Sequence, residues 1–124
     1  LAGPPTLIPH GIERLGAEVA PTVEDAMRGA HAVMALRVQQ ERMGQGLLAS
    51  MAEYARTWAI NARRARLMHA DAIVMHPGPM NRGIEIAPDV ADGERSVILA
   101  QVTNGVAVRC AVLRRCARAL GEAS

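Results

Sequence analysis

Lysine and phenylalanine are absent from this sequence of 124 residues, which has only one tryptophan and one tyrosine. All 14 basic residues are therefore arginines, and 12 acidic residues reduce the formal net charge to +2. Proteins that bind nucleic acid usually cluster positive charge and intersperse aromatic residues, so this class is not expected. No apolar run approaches the ~20 residues that a membrane span needs, so no membrane-spanning helix is expected either.

Cysteine is scarce as well, and neither Cys110 nor Cys116 lies in a pairing or metal-binding motif. This usage is typical of a reduced, cytoplasmic protein. The four histidines lack metal-ligand spacing, and no phosphate loop or nucleophile elbow is present. Residues 1–5 lack the charged and apolar regions of a signal peptide. Because they open on a turn without an initiator methionine, we expect a piece of a longer chain.

Short apolar runs alternate with helical patterns, which is typical of β-α-β units and a parallel sheet. The clearest strands are predicted at 32–36 and 72–75, as unbroken apolar runs buried on both faces. A further short strand is predicted at 17–20. The predicted fold class is therefore α/β, with a three-layer arrangement of a parallel sheet and flanking helices in one compact domain.

Two helix starts are marked by capping residues, Thr22 and Asn61. A longer amphipathic helix is predicted to end at Trp58, after starting near Leu47. A loop is expected at 80–93, and loops of that length in compact domains are usually functional or disordered. A helix follows at about 94–101.

The last helix is expected to begin after a break at Asn104-Gly105 and to end near Leu120. Its apolar residues share one face on a helical wheel, where the two cysteines are expected to be core residues. Arg109 falls among these apolar residues, and a buried arginine needs a carboxylate or several carbonyls as partners. We expect that partner to lie across a packing interface.

Polar residues follow the predicted strand at 32–36. Arg37 offers a planar fork suited to a carboxylate, and Gln39 points the same way if the chain stays extended. Glu41 can reach back and hold the guanidinium in place. An ordinary surface ion pair between Arg37 and Glu41 fits the same spacing. Because the carboxyl ends of parallel strands form the ligand-binding edge, these residues are candidates for an anion site.

His76-Pro77-Gly78-Pro79 follows the strand at 72–75 and should face the same crevice. Two prolines around Gly78 hold the backbone carbonyls in a rigid loop, free to accept from an NH₂ group. A cis Gly78-Pro79 bond is expected here. His76 is predicted to be a structural hydrogen-bonding residue more than a general base. A simple turn that leaves the sheet is the alternative interpretation of the whole motif.

Three ordered motifs resemble those of aspartate carbamoyltransferase catalytic chains. These are LRVQQERM at 36–43, HPGPMNRGIEI at 76–86 and QVTNGVAVRCAVL at 101–113. The resemblance covers nearly the whole chain. It implies the Rossmann-like aspartate-binding domain of the carbamoyltransferase fold, incomplete at its N-terminus. It also implies an enzyme of pyrimidine biosynthesis, which forms N-carbamoyl-L-aspartate and phosphate from carbamoyl phosphate and L-aspartate.

The resemblance assigns roles to the site residues. Arg37 and Gln39 would bind aspartate, while the carbonyls of Gly78 and Pro79 would accept from the carbamoyl NH₂ of carbamoyl phosphate. Glu41 and His76 would support these groups from behind. No residue of this chain is assigned a catalytic role in the chemical step, and no metal or organic cofactor is implied. The segment from Met43 to about Ile60 would close over the substrate.

The resemblance also implies an organisation larger than this chain. Residues 1–103 would be a partial aspartate-binding domain, and residues 104–124 a helix that packs on a carbamoyl-phosphate domain. A cytoplasmic homotrimer with shared active sites is implied, with a regulatory chain or a dihydroorotase as further candidate partners. The phosphate-binding motif Ser-x-Arg-Thr of the family is absent, so these residues alone are expected to be inactive.

Two other functions fit parts of the pattern. Ornithine carbamoyltransferases typically carry a cysteine where Pro77 stands, and the pair Arg37 and Gln39 suits a dicarboxylate better than ornithine. A non-catalytic homologue that serves as an assembly scaffold would keep the fold while losing phosphate-binding residues elsewhere. Binding of a bisubstrate analogue by the full-length chain would separate the scaffold from the enzyme.

Overall fold

The structure, a computed structural model, describes residues 1–39 and 50–122. Two short 3-10 turns come first, at Pro5–Leu7 and Ile12–Leu15. The remaining elements are α1 (Val23–Met27), β1 (Ala32–Met34), α2 (Met51–Trp58), α3 (Ala62–Ala65), β2 (Ile73–Met75), α4 (Pro88–Ala91) and α5 (Ile98–Glu122). The predicted α/β class with a parallel sheet and flanking helices is confirmed, because the two strands pair in parallel.

The sheet of the described residues has two strands, β1 and β2, in a register that pairs Val33 with Val74. The pairing continues past the strands, where the Ala35 N–H donates to the carbonyl of Met75 at 3.0 Å. On the other side of β2, Val74 exchanges backbone hydrogen bonds with residues 95–97. Val74 is 1% exposed and lies at the centre of the core. Strand β2 is therefore enclosed on both edges.

Strand β1 is more open than its sequence predicts. Met34 and Leu36 are exposed, whereas burial on both faces was expected. The strand also ends at Met34, two residues before the predicted end at residue 36. Ala32, Met34 and Leu36 alternate along the chain and are all exposed, so within the described residues one face of β1 is left uncovered. The strand predicted at 17–20 is wrong, although Ala20 donates a backbone hydrogen bond to Leu1 there.

Both predicted helix caps are confirmed. The Thr22 hydroxyl oxygen accepts from the Asp25 N–H at 3.0 Å at the start of α1, and the side-chain oxygen of Asn61 accepts from the Arg64 N–H at 3.0 Å at the start of α3. Helix α2 is capped in the same way by Ser50, whose hydroxyl oxygen accepts from the Glu53 N–H. The predicted beginning of that helix near Leu47 lies outside the described residues.

The C-terminal part departs most from the sequence prediction. The expected loop at 80–93 contains the short helix α4, which begins at Pro88. The break predicted at Asn104-Gly105 is wrong, because α5 runs without interruption for 25 residues. A glycine inside a helix costs only about 1 kcal/mol, which neighbouring residues can offset. Cys110 and Cys116 are exposed in this chain, so their predicted core position is wrong here.

The core lies between the sheet and the short helices. Met27, Val74, Ile86 and His76 are its largest fully buried side chains. Helix α1 packs on α3, α3 packs on α4, and the first turn of α5 packs on β2. From residue 102 to residue 121 the side chains of α5 are exposed. No helix in the described part of the chain is both long and apolar enough to cross a membrane.

Candidate functional site

The two strands bring the predicted site residues to the same end of the sheet, where the carboxyl ends of both strands lie. Arg37 stands three residues after the end of β1, and Gly78 three residues after the end of β2. Because the strands are parallel and in register, both segments leave the sheet on the same side. Arg37, Gln39 and Gly78 are all half-buried. They are thus positioned at a surface that a small ligand can reach.

A side-chain hydrogen bond joins the two segments directly. The Nδ2 of Asn81 donates to the carbonyl oxygen of Val38 at 3.0 Å. Val38 lies between Arg37 and Gln39 and is 6% exposed, so this point of the chain is anchored in the fold. The loop after β2 therefore fixes the backbone from which the predicted anion-binding side chains project.

His76 is fully buried and forms hydrogen bonds at three places. Its Nδ1 accepts from the Gly78 N–H at 2.9 Å, so the ring proton belongs on Nε2, which donates to Glu85 Oε1 at 3.1 Å. Its backbone N–H donates to Gln101 Oε1 at 2.9 Å. In this arrangement the His76 side chain has no exposed surface. It holds the following turn and does not face a ligand.

Glu85 is a buried carboxylate, 2% exposed. Its Oε1 accepts from His76 and also from the backbone N–H of Asn81, at 2.5 Å. Its Oε2 is buried with no hydrogen-bond partner among the described residues. A carboxylate in this position needs donors to offset the loss of hydration. Glu85 thus binds donors at both ends of the loop 76–81, from His76 and from Asn81, and holds the loop in shape.

The turn itself presents few hydrogen-bond donors. Gly78 has a φ of 68°, a left-handed conformation that favours glycine. The Gly78-Pro79 peptide bond is cis, as expected from the sequence. Pro77 and Pro79 are exposed and have no N–H to offer. The accessible polar groups contributed by these two prolines are therefore carbonyl oxygens, which can only accept hydrogen bonds.

A cavity of about 370 Å³ lies behind the site, between the open side of β1 and helices α1 and α2. Tyr54, Trp58 and Glu85 contribute to its lining. Burial raises the pKa of Tyr54, and the negative charge of Glu85 raises it further. The Tyr54 hydroxyl therefore remains protonated at neutral pH.

Glu41, predicted to hold Arg37 in place, lies outside the described residues, as do residues 43–49 of the segment predicted to close over the site. Asn81, Glu85 and Gln101 received no individual role from the sequence. A carboxylate between Ile84 and Ile86 was the available signal, because an acidic residue flanked by apolar ones suggests burial. In the described ranges, 1–39 and 50–122, no group of three His, Cys, Asp or Glu residues could hold a metal ion.

Comparison with known proteins identifies related sequences over most of the chain. The family described as "Aspartate/ornithine carbamoyltransferase, Asp/Orn binding domain" matches residues 10–116. The aspartate carbamoyltransferase catalytic subunit of Myxococcus xanthus is 60% identical over 116 residues, which cover 94% of this chain and 39% of that protein. The corresponding subunit of Pelotomaculum thermopropionicum is 58% identical over 113 residues, 91% of this chain and 37% of that protein.

Solved structures agree with these sequence matches. Aspartate transcarbamoylase from Trypanosoma cruzi, in complex with carbamoyl aspartate and phosphate, superposes with a TM-score of 0.72 at 27% identity. The match covers 91% of this chain and 38% of that one. Ornithine carbamoyltransferase from Burkholderia thailandensis, at 21% identity and a TM-score of 0.70, shares the fold over 90% of this chain and 36% of that one. The resemblance inferred from the three motifs is confirmed. The chain spans about two fifths of the length of the curated relatives it matches.

Proposed function

Because this chain belongs to the aspartate/ornithine carbamoyltransferase family, we propose that it supplies the aspartate-binding part of an aspartate carbamoyltransferase. The full enzyme would transfer the carbamoyl group of carbamoyl phosphate to the amine of L-aspartate. The observation that carries this proposal is that the segments after β1 and β2 meet at the same end of the sheet, where the Asn81 side chain donates a hydrogen bond to the Val38 carbonyl. The similarity to relatives named as aspartate enzymes supports aspartate over ornithine.

In the proposed complex, Arg37 and Gln39 bind the aspartate substrate. The Arg37 guanidinium pairs with a carboxylate through two parallel N–H donors, and the Gln39 amide donates to the same anion. Glu41 is proposed to orient the guanidinium, a role that rests on the family resemblance alone. The half-buried position of Arg37 and Gln39 supports this role, since partial desolvation strengthens a charge-assisted hydrogen bond.

Carbamoyl phosphate is proposed to lie against the turn at Gly78 and Pro79. Their carbonyl oxygens accept from the carbamoyl NH₂, while His76 holds the turn through its bond to the Gly78 N–H. The aspartate amine attacks the carbamoyl carbon, the bond from that carbon to the phosphate oxygen breaks, and phosphate leaves with the proton that the amine gives up. Catalysis then depends on holding both substrates in reacting distance, without a covalent intermediate, metal or cofactor.

The outer turns of α5 are proposed to pack against a carbamoyl-phosphate domain. Val106, Val112, Leu113 and Leu120 are exposed there, and apolar side chains exposed together on one helix mark an interaction surface. In this arrangement Arg109 meets a carboxylate or carbonyls of that domain. Residues 1–103 then form the partial aspartate domain, and residues 104–124 the connecting helix.

The assembly is proposed to be a cytoplasmic homotrimer in which neighbouring chains share each active site. A regulatory chain or a dihydroorotase is a further candidate partner. Unpaired cysteine thiols at Cys110 and Cys116 suit a reducing compartment. Sedimentation of the full-length protein tests the trimer. The 124-residue chain by itself is expected to show no turnover, because the proposed phosphate site lies elsewhere.

The decisive experiment replaces Arg37 in the full-length protein that contains this sequence. Arg37→Gln should lower kcat/KM for aspartate by about 100-fold or more, because each charge-assisted hydrogen bond contributes about 1.5–3 kcal/mol and 1.4 kcal/mol is a factor of ten. Arg66→Gln, at an exposed arginine after α3, is the matched control and should leave kcat/KM within about twofold.

Three results would contradict the proposal. One is turnover of ornithine in place of aspartate by the wild-type protein. Another is an Arg37→Gln variant as active as the Arg66→Gln control. The third is a full-length protein that binds neither substrate nor a bisubstrate analogue, which would favour the assembly scaffold.

A further inference from the structure

Asn81 contacts both sides of the proposed site. Through its side chain it donates to the carbonyl of Val38, between the two residues proposed to bind aspartate. Through its backbone N–H it donates to Glu85 Oε1, which also binds His76. We propose that Asn81 is a positioning residue that sets the distance between the aspartate side and the carbamoyl side. This inference rests on the proposed function.

The hydrogen bonds around Asn81 form one connected unit. The Gly78 N–H donates to His76 Nδ1, His76 Nε2 donates to Glu85 Oε1, and the Asn81 N–H donates to the same oxygen. The Asn81 amide then extends the unit to Val38. The turn that carries Gly78 and the segment that carries Arg37 are thus linked through side chains across 43 positions of sequence separation.

Three members of this unit are buried, while Asn81 and Gly78 are half-buried. His76 is 0% exposed, Glu85 is 2% exposed and Val38 is 6% exposed. Water cannot readily replace a hydrogen bond that is lost among buried groups, so each missing bond leaves a polar atom unsatisfied. Loss of the Asn81 amide would leave the Val38 carbonyl without this donor. The segment that carries Arg37 and Gln39 would then be free to shift relative to the turn.

Such a shift matters because the proposed reaction joins two substrates held on opposite sides of this link. Reacting atoms must lie about 3–3.5 Å apart, and a displacement of about 1 Å can lower the rate by about 100-fold. Asn81 itself need not contact either substrate. Its effect would pass through Val38 to the neighbouring side chains, which is why it is a positioning residue and not a catalytic one.

The test compares two asparagine substitutions in the full-length protein. Asn81→Ala removes the amide that binds Val38 and keeps the backbone N–H that binds Glu85. Asn61→Ala removes a side-chain hydrogen bond of the same length, 3.0 Å, at the start of α3. Asn61 lies in none of the segments assigned to the site, so this variant serves as the matched control for a purely structural loss.

Asn81→Ala should lower kcat/KM for aspartate by about 10- to 100-fold, with a fall in kcat as well as a rise in KM. Asn61→Ala should lower the thermal midpoint comparably and leave kcat/KM within about twofold. A double-mutant cycle with Arg37→Gln measures the coupling between the two residues in kcat/KM, and a purely structural role of Asn81 would give no coupling. If Asn81 acts through the Arg37 segment, its effect on kcat/KM should largely disappear in the Arg37→Gln background.

Equal behaviour of the two alanine variants, or full additivity with Arg37→Gln, would overturn the inference. If Asn81→Ala fails to fold, Asn81→Ser provides the test. Its hydroxyl is one bond shorter than the amide and does not reach the Val38 carbonyl, but it keeps a polar group at this half-buried position, and the same cycle and the same expected loss apply. A wild-type protein that does not turn over aspartate would refute the proposed function. An active enzyme that is sensitive at Arg37 and insensitive at Asn81 would refute the positioning role alone.

Discussion

Helices α3 and α5 are held in opposite ways. Helix α3 has four residues, and two of them, Arg64 and Ala65, are buried. Helix α5 has 25 residues, yet its side chains from residue 102 to residue 121 are exposed. The short helix depends on tertiary contacts, because four residues cannot form a stable helix alone. The outer turns of the long helix depend, within this chain, on their own helix propensity.

Arg64 shows how the short helix is fixed. Its guanidinium donates to Glu24 Oε1 at 3.0 Å, to the Ala59 carbonyl at 2.7 Å and to the Thr57 carbonyl at 2.7 Å. These contacts join α1, the end of α2 and α3 at a point that is 5% exposed. A long side chain can thus place a charge inside the fold, provided that each donor finds an acceptor.

The largest expected effect comes from removing this guanidinium. Arg64→Ala leaves the Ala59 and Thr57 carbonyls without their donor and should lower the free energy of unfolding by about 2–6 kcal/mol, since each unsatisfied buried acceptor costs about 1–3 kcal/mol. Arg63→Ala is the matched control, since Arg63 binds the same Glu24 oxygen at 2.7 Å but its side chain is 70% exposed. Its loss should be below about 1 kcal/mol. Denaturant titration measures both, and equal losses would show that burial of Arg64 does not matter.

A second, smaller effect is expected from Glu24, the carboxylate that Arg64 binds. The hydrogen bond from the Arg64 side chain lowers the pKa of Glu24. The backbone N–H of Glu24 and the positive charges of Arg64 and Arg63 lower this pKa further. A folded-state pKa below the unfolded value contributes stability above the unfolded pKa, which is near 4.5. That contribution is lost as the pH falls through the folded-state pKa.

Glu24→Gln should therefore destabilise the protein by about 1–2 kcal/mol near pH 7, through loss of a charge-assisted hydrogen bond. The difference from wild type should shrink as the pH falls below about 4.5. Asp92→Asn is the control, because Asp92 pairs with Arg82 at 2.6 Å in an exposed position. Arg82 lowers the pKa of Asp92 in the same direction, so its pH dependence should have the same sign and a smaller size. A Glu24→Gln effect that persists unchanged in acid would exclude the ionic contribution.

The same contrast explains which features could be predicted from the sequence. The caps at Thr22 and Asn61 were predicted because a cap is formed by residues three positions apart. The two strands were predicted from their apolar runs, and the shared edge followed from parallel pairing. These features depend on neighbours in sequence or on a general rule of α/β sheets.

The features that escaped prediction depend on distant partners. Arg64 meets Glu24 across 40 positions, and Asn81 meets Val38 across 43. No local pattern specifies such pairs. The exposure of Met34 was missed for a related reason, since burial of an edge strand depends on what covers it. The continuity of α5 through Gly105 was missed because the cost of one glycine is too small to decide the question.

The smallest expected effect concerns this glycine and isolates the outer part of α5. A Cβ added at Gly105 would meet no atom within 4 Å, so Gly105→Ala should stabilise the outer turns by about 0.5–1 kcal/mol. Because these turns do not pack on the core, the gain should appear as slower hydrogen exchange of the surrounding amides, with little change in global unfolding. Gly93→Ala should have the opposite effect and destabilise the protein, because the added Cβ would lie only 2.8 Å from the Asp89 carbonyl oxygen. If Gly105→Ala raised global stability as much as local protection, the outer turns would be coupled to the core, and the contrast between α3 and α5 would not hold.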